Sequence, residues 1–167
     1  MRSHSTLRLV LQGLLLTGSL AGPGHAEGQP SAALPTPETF FGFRMGADRK
    51  LANWDKLRAY YERLARSSPR VKLLELGKSS EGRPYIALFI SSPANLAKLD
   101  HYKRINARLA DPRGLSETEA RKLVAEGRAV IIQTFGLHST EVGGAQTAAE
   151  YVHDSLSRND EEATRMI

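Results

Sequence analysis

The chain has 167 residues, 41% hydrophobic and 25% charged, enough for one modest globular domain and unlike collagen, coiled coil or bulk disorder. It has no cysteine, which excludes a disulfide framework, a thiolate metal site and a cysteine nucleophile. The net charge is +5, but Lys and Arg are scattered among Asp and Glu, with no basic stripe interleaved with aromatics, so no nucleic-acid partner is expected.

The N-terminus reads as a secretory signal. Arg2 and Arg8 form a short basic region, Leu9 to Leu20 is almost entirely apolar, and Gly24-His25-Ala26 offers the small residues that a signal peptidase reads. The apolar run is shorter than the ~18–20 residues that span a bilayer. Residues 1–26 are therefore expected to be a signal peptide, and the protein to be exported, periplasmic or extracellular, with no stable membrane anchor after cleavage. Residues 27–39 are rich in Pro, Gly, Ser and Ala and read as a flexible leader. Phe40-Phe41-Gly42-Phe43 then needs a surface to pack on and would tether the leader to a domain over residues 40–167.

Asn53 is a good helix N-cap. Trp54, Leu57, Tyr61 and Leu64 make an apolar stripe on a helix that should run to about Ala65 and stop at Ser67-Ser68-Pro69. Val71 to Leu76 and Pro84 to Ile90 read as strands joined by the Ser79-Ser80-Glu81-Gly82 turn, an antiparallel hairpin with Gly82 supplying a positive φ. Tyr85, Ala87 and Phe89 alternate with Ile86, Leu88 and Ile90, so the second strand is expected to be buried on both faces. Two helices follow, over about Ala94–Leu109 and from Ser116 to near Gly127. Ser116 and Glu119 form a capping box in the second.

Ala129 to Thr134 contains Val130, Ile131 and Ile132 in a row, the pattern of a central strand covered on both sides. A loop, Phe135 to Thr140, leads to a helix from about Glu141 to Ser157, and a last helix covers Asp160–Met166. The order helix, hairpin, helices, strand, helix predicts an α/β fold, a partial mixed β-sheet flanked by helices. A sheet of three strands is small against the usual ~5–6, which points to an incomplete fold.

The chemistry lies in Gly136-Leu137-His138-Ser139-Thr140-Glu141. Imidazole nitrogen and carboxylate oxygen are both zinc donors. The expected order, strand, His138, helix, Glu141, puts the histidine at a strand tip, where α/β sheets bind ligands. It puts the glutamate at a helix start, where the dipole favours negative charge. Gly143-Gly144 leaves the surface beside this loop small enough for close approach. A catalytic zinc takes three protein ligands and an open position. His4 and His25 fall in the signal, His101 is far upstream, and His153 lies about 18 Å along the same helix at 1.5 Å per residue, so no third ligand is evident. A capping Glu beside a loop His is the plainer explanation of the pair.

The order of two motifs sharpens this. Gly77-Lys78-Ser79-Ser80-Glu81-Gly82-Arg83-Pro84 resembles the Gly-x-Ser-x-Glu-Gly-Arg-Pro hairpin of the M14 (carboxypeptidase A-like) zinc metallocarboxypeptidases. His138-Ser139-Thr140-Glu141 resembles that family's His-x-x-Glu motif at the family's separation. The likeness covers about Trp54 to Ile167, and Phe40-Phe41-Gly42-Phe43-Arg44-Met45-Gly46 resembles the leader of large exported bacterial members. The resemblance implies one Zn2+ ion, His138 and Glu141 as metal ligands, a peptide substrate, and removal of C-terminal residues. In the family a glutamate takes a proton from zinc-bound water and passes it to the leaving amine.

The family's third zinc ligand, its catalytic glutamate, and the asparagine and arginine that grip the substrate carboxylate have no counterpart here. Where many members carry Arg before the zinc glutamate this chain has Thr140, so that substrate contact does not carry over. No catalytic residue is therefore assigned within the chain. It is expected to be the truncated N-terminal part of such an enzyme, inactive alone. A non-catalytic exported binding protein on the same scaffold, or an unrelated α/β domain with an accidental His-x-x-Glu, are the competing expectations.

Overall fold

The computed structural model describes residues 34–167. The expected signal peptide and most of the expected leader lie outside the described residues. From residue 34 the leader's end is structured. Thr36 accepts a hydrogen bond from the Thr39 amide and Pro37 takes the first helical position of α1 (Pro37–Phe41), which ends at Gly42 with a positive φ. Phe41 is buried against the ring of Tyr60, 5.2 Å away. Tyr60 in turn donates its hydroxyl to the Pro35 carbonyl at 2.9 Å, so the aromatic run does fasten this segment to the core.

Helix α2 (Trp54–Ser67) is capped by Asn53, whose side chain accepts from the Lys56 amide. It buries Leu57, Tyr60, Tyr61 and Leu64, while Trp54 is only partly buried. Tyr60 falls outside the expected stripe yet has no exposed surface. Its burial, seconded by the Glu150 carboxylate, raises the phenol above its ordinary pKa, and burial pushes Tyr61 up to about 12.

Strands β1 (Val71–Lys78) and β2 (Pro84–Ile90) form the expected antiparallel hairpin, pairing Val71 with Ile90 through Lys78 with Pro84, with a bulge between Glu75 and Gly77. Gly82 has φ +75°, and its amide donates to the Ser79 carbonyl to close the turn. β2 is not buried on both faces. Leu73, Ile86, Leu88 and Ile90 pack on the core, whereas Tyr85 on the other face is exposed. Ala87 and Phe89 on that second face are only half-buried, so the two-stranded sheet is incompletely covered there.

The single helix expected over 94–109 is two. α3 (Pro93–Leu96) is capped by Ser92, and α4 (Leu99–Ala110) begins after a tight turn in which the Lys98 amide donates to the Asn95 carbonyl. α5 (Glu117–Glu126) carries the expected capping box from Ser116 and Glu119 and packs on α4. α6 (Val142–Ser157) and α7 (Glu161–Met166) close the order.

The third strand does not form. Residues 127–136 pair with no strand among the described residues, and Val130, Ile131 and Ile132 are 63%, 81% and 82% exposed. A strand satisfies its backbone only through a neighbouring strand, and among the described residues no third strand lies beside this one; only Phe135, at its end, packs on the core and on Tyr151 of α6. The fold is nonetheless α/β, seven helices with a two-stranded sheet among the described residues.

The core sits where α2 meets α6, β1 and α1. Ala148, Ala149, Val152 and Leu156 are the face that α6 contributes. The helix is tied at both ends. Near its start, buried Gln146 accepts from the Ala52 amide at 3.0 Å and donates to the Ala52 carbonyl at 3.1 Å. At its end, Arg70 Nη1 donates to the carbonyls of Leu156 and Arg158 and to Asn159 Oδ1, taking up groups that a helix C-terminus leaves unpaired.

Candidate metal centre

His138 and Glu141 occupy the short loop between the 127–136 segment and α6. The Glu141 amide donates to the His138 carbonyl at 3.0 Å. That turn brings the side chains three residues apart onto one side, and His138 Nδ1 lies 2.9 Å from Glu141 Oε1. Both are open to solvent, at 65% and 60% exposure. Glu141 is the N-cap residue of α6, but its side chain makes no capping bond. Its carboxylate is directed to the imidazole instead, so the capping explanation of this residue does not hold.

The strand-tip placement expected for His138 is not what the structure shows. The residues before it form no strand, and Leu137 beside it is 88% exposed. What aims the histidine is the turn into α6, not a sheet.

The donor set suits a divalent ion in kind. Two donors each ~2.1 Å from one tetrahedral zinc lie about 3.4 Å apart. The pair at 2.9 Å has the spacing of a hydrogen bond and would open by about 0.5 Å to take the ion. In number the set is short. Among the described residues no group of three or more His, Cys, Asp or Glu is placed to hold a metal. His101 pairs with Glu126 at 3.1 Å and His153 with Asp154 at 3.6 Å.

A cleft of about 460 Å³ opens beside the first turn of α6, between the 45–51 loop and Gln146, Thr147 and Glu150. Neither His138 nor Glu141 lines it. The supporting residues were the part that sequence reasoning missed. Gln146 holds the start of α6, and its signal was available: a lone amide among the small apolar residues Ala145, Ala148 and Ala149. Arg83 and Glu81 of the hairpin motif form an exposed pair at 3.4 Å, far from chemistry in role.

A family model described as zinc carboxypeptidase matches residues 57–167. No curated protein and no solved structure matches the chain.

Proposed function

The chain belongs to the zinc carboxypeptidase family, and from that membership we propose that it serves the zinc-dependent removal of C-terminal residues from peptides, with His138 and Glu141 as two of the metal's ligands. The observation that supports this most is the 2.9 Å approach of His138 Nδ1 to Glu141 Oε1. When bound, zinc polarises a scissile carbonyl and acidifies a water molecule. The chain's own part is to hold an imidazole nitrogen and a carboxylate oxygen together at the head of α6, open on the solvent side. Gln146 and Arg70 keep that helix against the body of the domain, so the carboxylate has a firm base.

Two donors do not hold a catalytic zinc, and the described residues group no third with them. By themselves residues 34–167 should turn over no peptide. The same observation favours a second reading, a non-catalytic exported binding protein on this scaffold. We place either protein outside the cytoplasm on the strength of Arg2, Arg8, the apolar Leu9–Leu20 run and Gly24-His25-Ala26. Among the described residues no helix is long and apolar enough to cross a membrane.

Zinc titration of the 167-residue chain tests the ligand assignment. His138→Ala and Glu141→Gln should each weaken binding by more than the ~10–100-fold that loss of a supporting partner costs. Unchanged affinity in both variants would refute it. Hydrolysis by this chain alone of peptides with free C-termini, but not of C-terminally blocked ones, would overturn its expected inactivity and the binding-protein reading together.

A further inference from the structure

We propose that Gly144 is a positioning residue that keeps His138 within reach of Glu141, by letting the backbone of Gly136 lie against the first turn of α6. A Cβ on Gly144 would sit 2.9 Å from the Gly136 nitrogen, 3.3 Å from its Cα and 3.5 Å from the Phe135 carbonyl carbon. These are backbone atoms, so no rotamer change relieves the clash. The neighbouring Gly143 differs: a Cβ there meets nothing within 4 Å. Of two adjacent glycines in one helix, only one is required by a close approach.

The contact closes a small loop. Gly136, with φ +85°, turns the chain, and His138 follows two residues later. Glu141 ends the loop, and its amide returns to the His138 carbonyl. The loop's start therefore leans on the helix that its end begins. The helix cannot recoil, because Gln146 two residues past Gly144 holds both backbone groups of Ala52. An alanine at 144 must push the loop instead. Restoring an ordinary contact of at least 3.4 Å to the Gly136 nitrogen displaces the loop's start by about 0.5 Å, as large a movement as the pair must make to take an ion.

The metal readout of this inference rests on the ligand assignment above; the geometric readout does not. The full chain, isotopically labelled, is compared as wild type, Gly143→Ala, Gly144→Ala and His138→Ala. Zinc affinity is measured by titration, and the nuclear Overhauser contact between the His138 ring and the Glu141 side chain is measured without metal. Gly143→Ala should match wild type within about twofold. Gly144→Ala should lose the ring contact and bind zinc ~10-fold or more weakly, with helical circular dichroism retained. A glycine needed only for structure would lower the melting temperature and leave contact and affinity alone; either one retained in Gly144→Ala overturns the proposal. If wild type binds zinc no better than His138→Ala, the ligand assignment has failed and the ring contact alone decides the positioning. If Gly144→Ala does not fold, the wild-type spectrum decides: α-proton contacts between Gly136 and Gly144 support the proposal, and their absence overturns it.

Discussion

The body built by α1, α2 and α6 and the segment over residues 127–137 are both rich in apolar side chains, yet one buries them and the other does not. In the body, Tyr60, Leu64 and Ala149 have no exposed surface. In the segment, Ile131 and Ile132 are more than four-fifths exposed. A helix satisfies its own backbone and needs from its neighbours only an apolar face. A strand needs a neighbour for its hydrogen bonds before its side chains can be covered at all. The described residues give the helices the apolar faces they need and the segment no strand to pair with, so that only Phe135 at its end reaches the core. His138 follows that segment and Glu141 heads α6, both open to solvent, so the pair joins a firm helix to a segment held mainly at its end.

The sharpest way to test this contrast is to empty the body. Leu64→Ala removes a fully buried side chain from the centre of α2 and should cost about 2–5 kcal/mol, read as a lower urea midpoint. A cost below about 1 kcal/mol would mean that α2 is not the pillar of the body. Gln146→Ala should come next. It leaves the Ala52 amide and carbonyl without their partner, at about 1–3 kcal/mol for each buried group that water cannot reach. Loosening the start of α6 should also broaden the Glu141 resonances, and sharp, unshifted ones would show that the helix head is held by something else.

A pH titration of stability probes the same body more gently. Tyr61 is buried neutral, its pKa raised to about 12, while in the unfolded chain a tyrosine titrates near ~10. The unfolded state ionises first, so the stabilisation is complete below ~10 and is lost as pH rises through about 12. Urea midpoints should therefore fall between about pH 10 and 12, and fall less in Tyr61→Phe. An identical slope in the variant would place the alkaline loss elsewhere.

What the sequence made legible follows the same division. Helix starts were readable because caps are local: Asn53, Ser116 and Asp160 each bond an amide three residues on. The hairpin and its turn were readable from the Ser79–Gly82 stretch and two apolar runs. The strand over 129–134 was misread because its three β-branched or apolar residues report only a preference for a sheet, and say nothing about whether a neighbouring strand is at hand. The two-sided burial of β2 failed for that reason too. At the site, residue types and spacing singled out His138 and Glu141, and the structure brings them together. The reason they meet was not legible, since it lies in a turn and in the anchoring of α6 by Gln146, a contact between residues 94 positions apart.

The smallest expected effect bears hardest on the comparison. Ile131→Ser changes a large apolar residue in the middle of a run that would be core in a completed sheet. If the segment stands uncovered, the substitution removes no packing, and stability should stay within about 0.5 kcal/mol, as for surface changes generally. The same run, Ala129 to Ile132, is short, apolar, uncharged and free of proline, the profile of a segment that pairs with another chain when exposed. Serine should therefore leave unfolding unchanged while lowering light scattering in concentrated samples. Ile105 is the control: it is 4% exposed in α4, and Ile105→Ser should be plainly destabilising. If Ile131→Ser cost as much as Ile105→Ser, residue 131 would be packed in solution. The boundary on which the His138–Glu141 pair sits would then have to be redrawn around a covered strand.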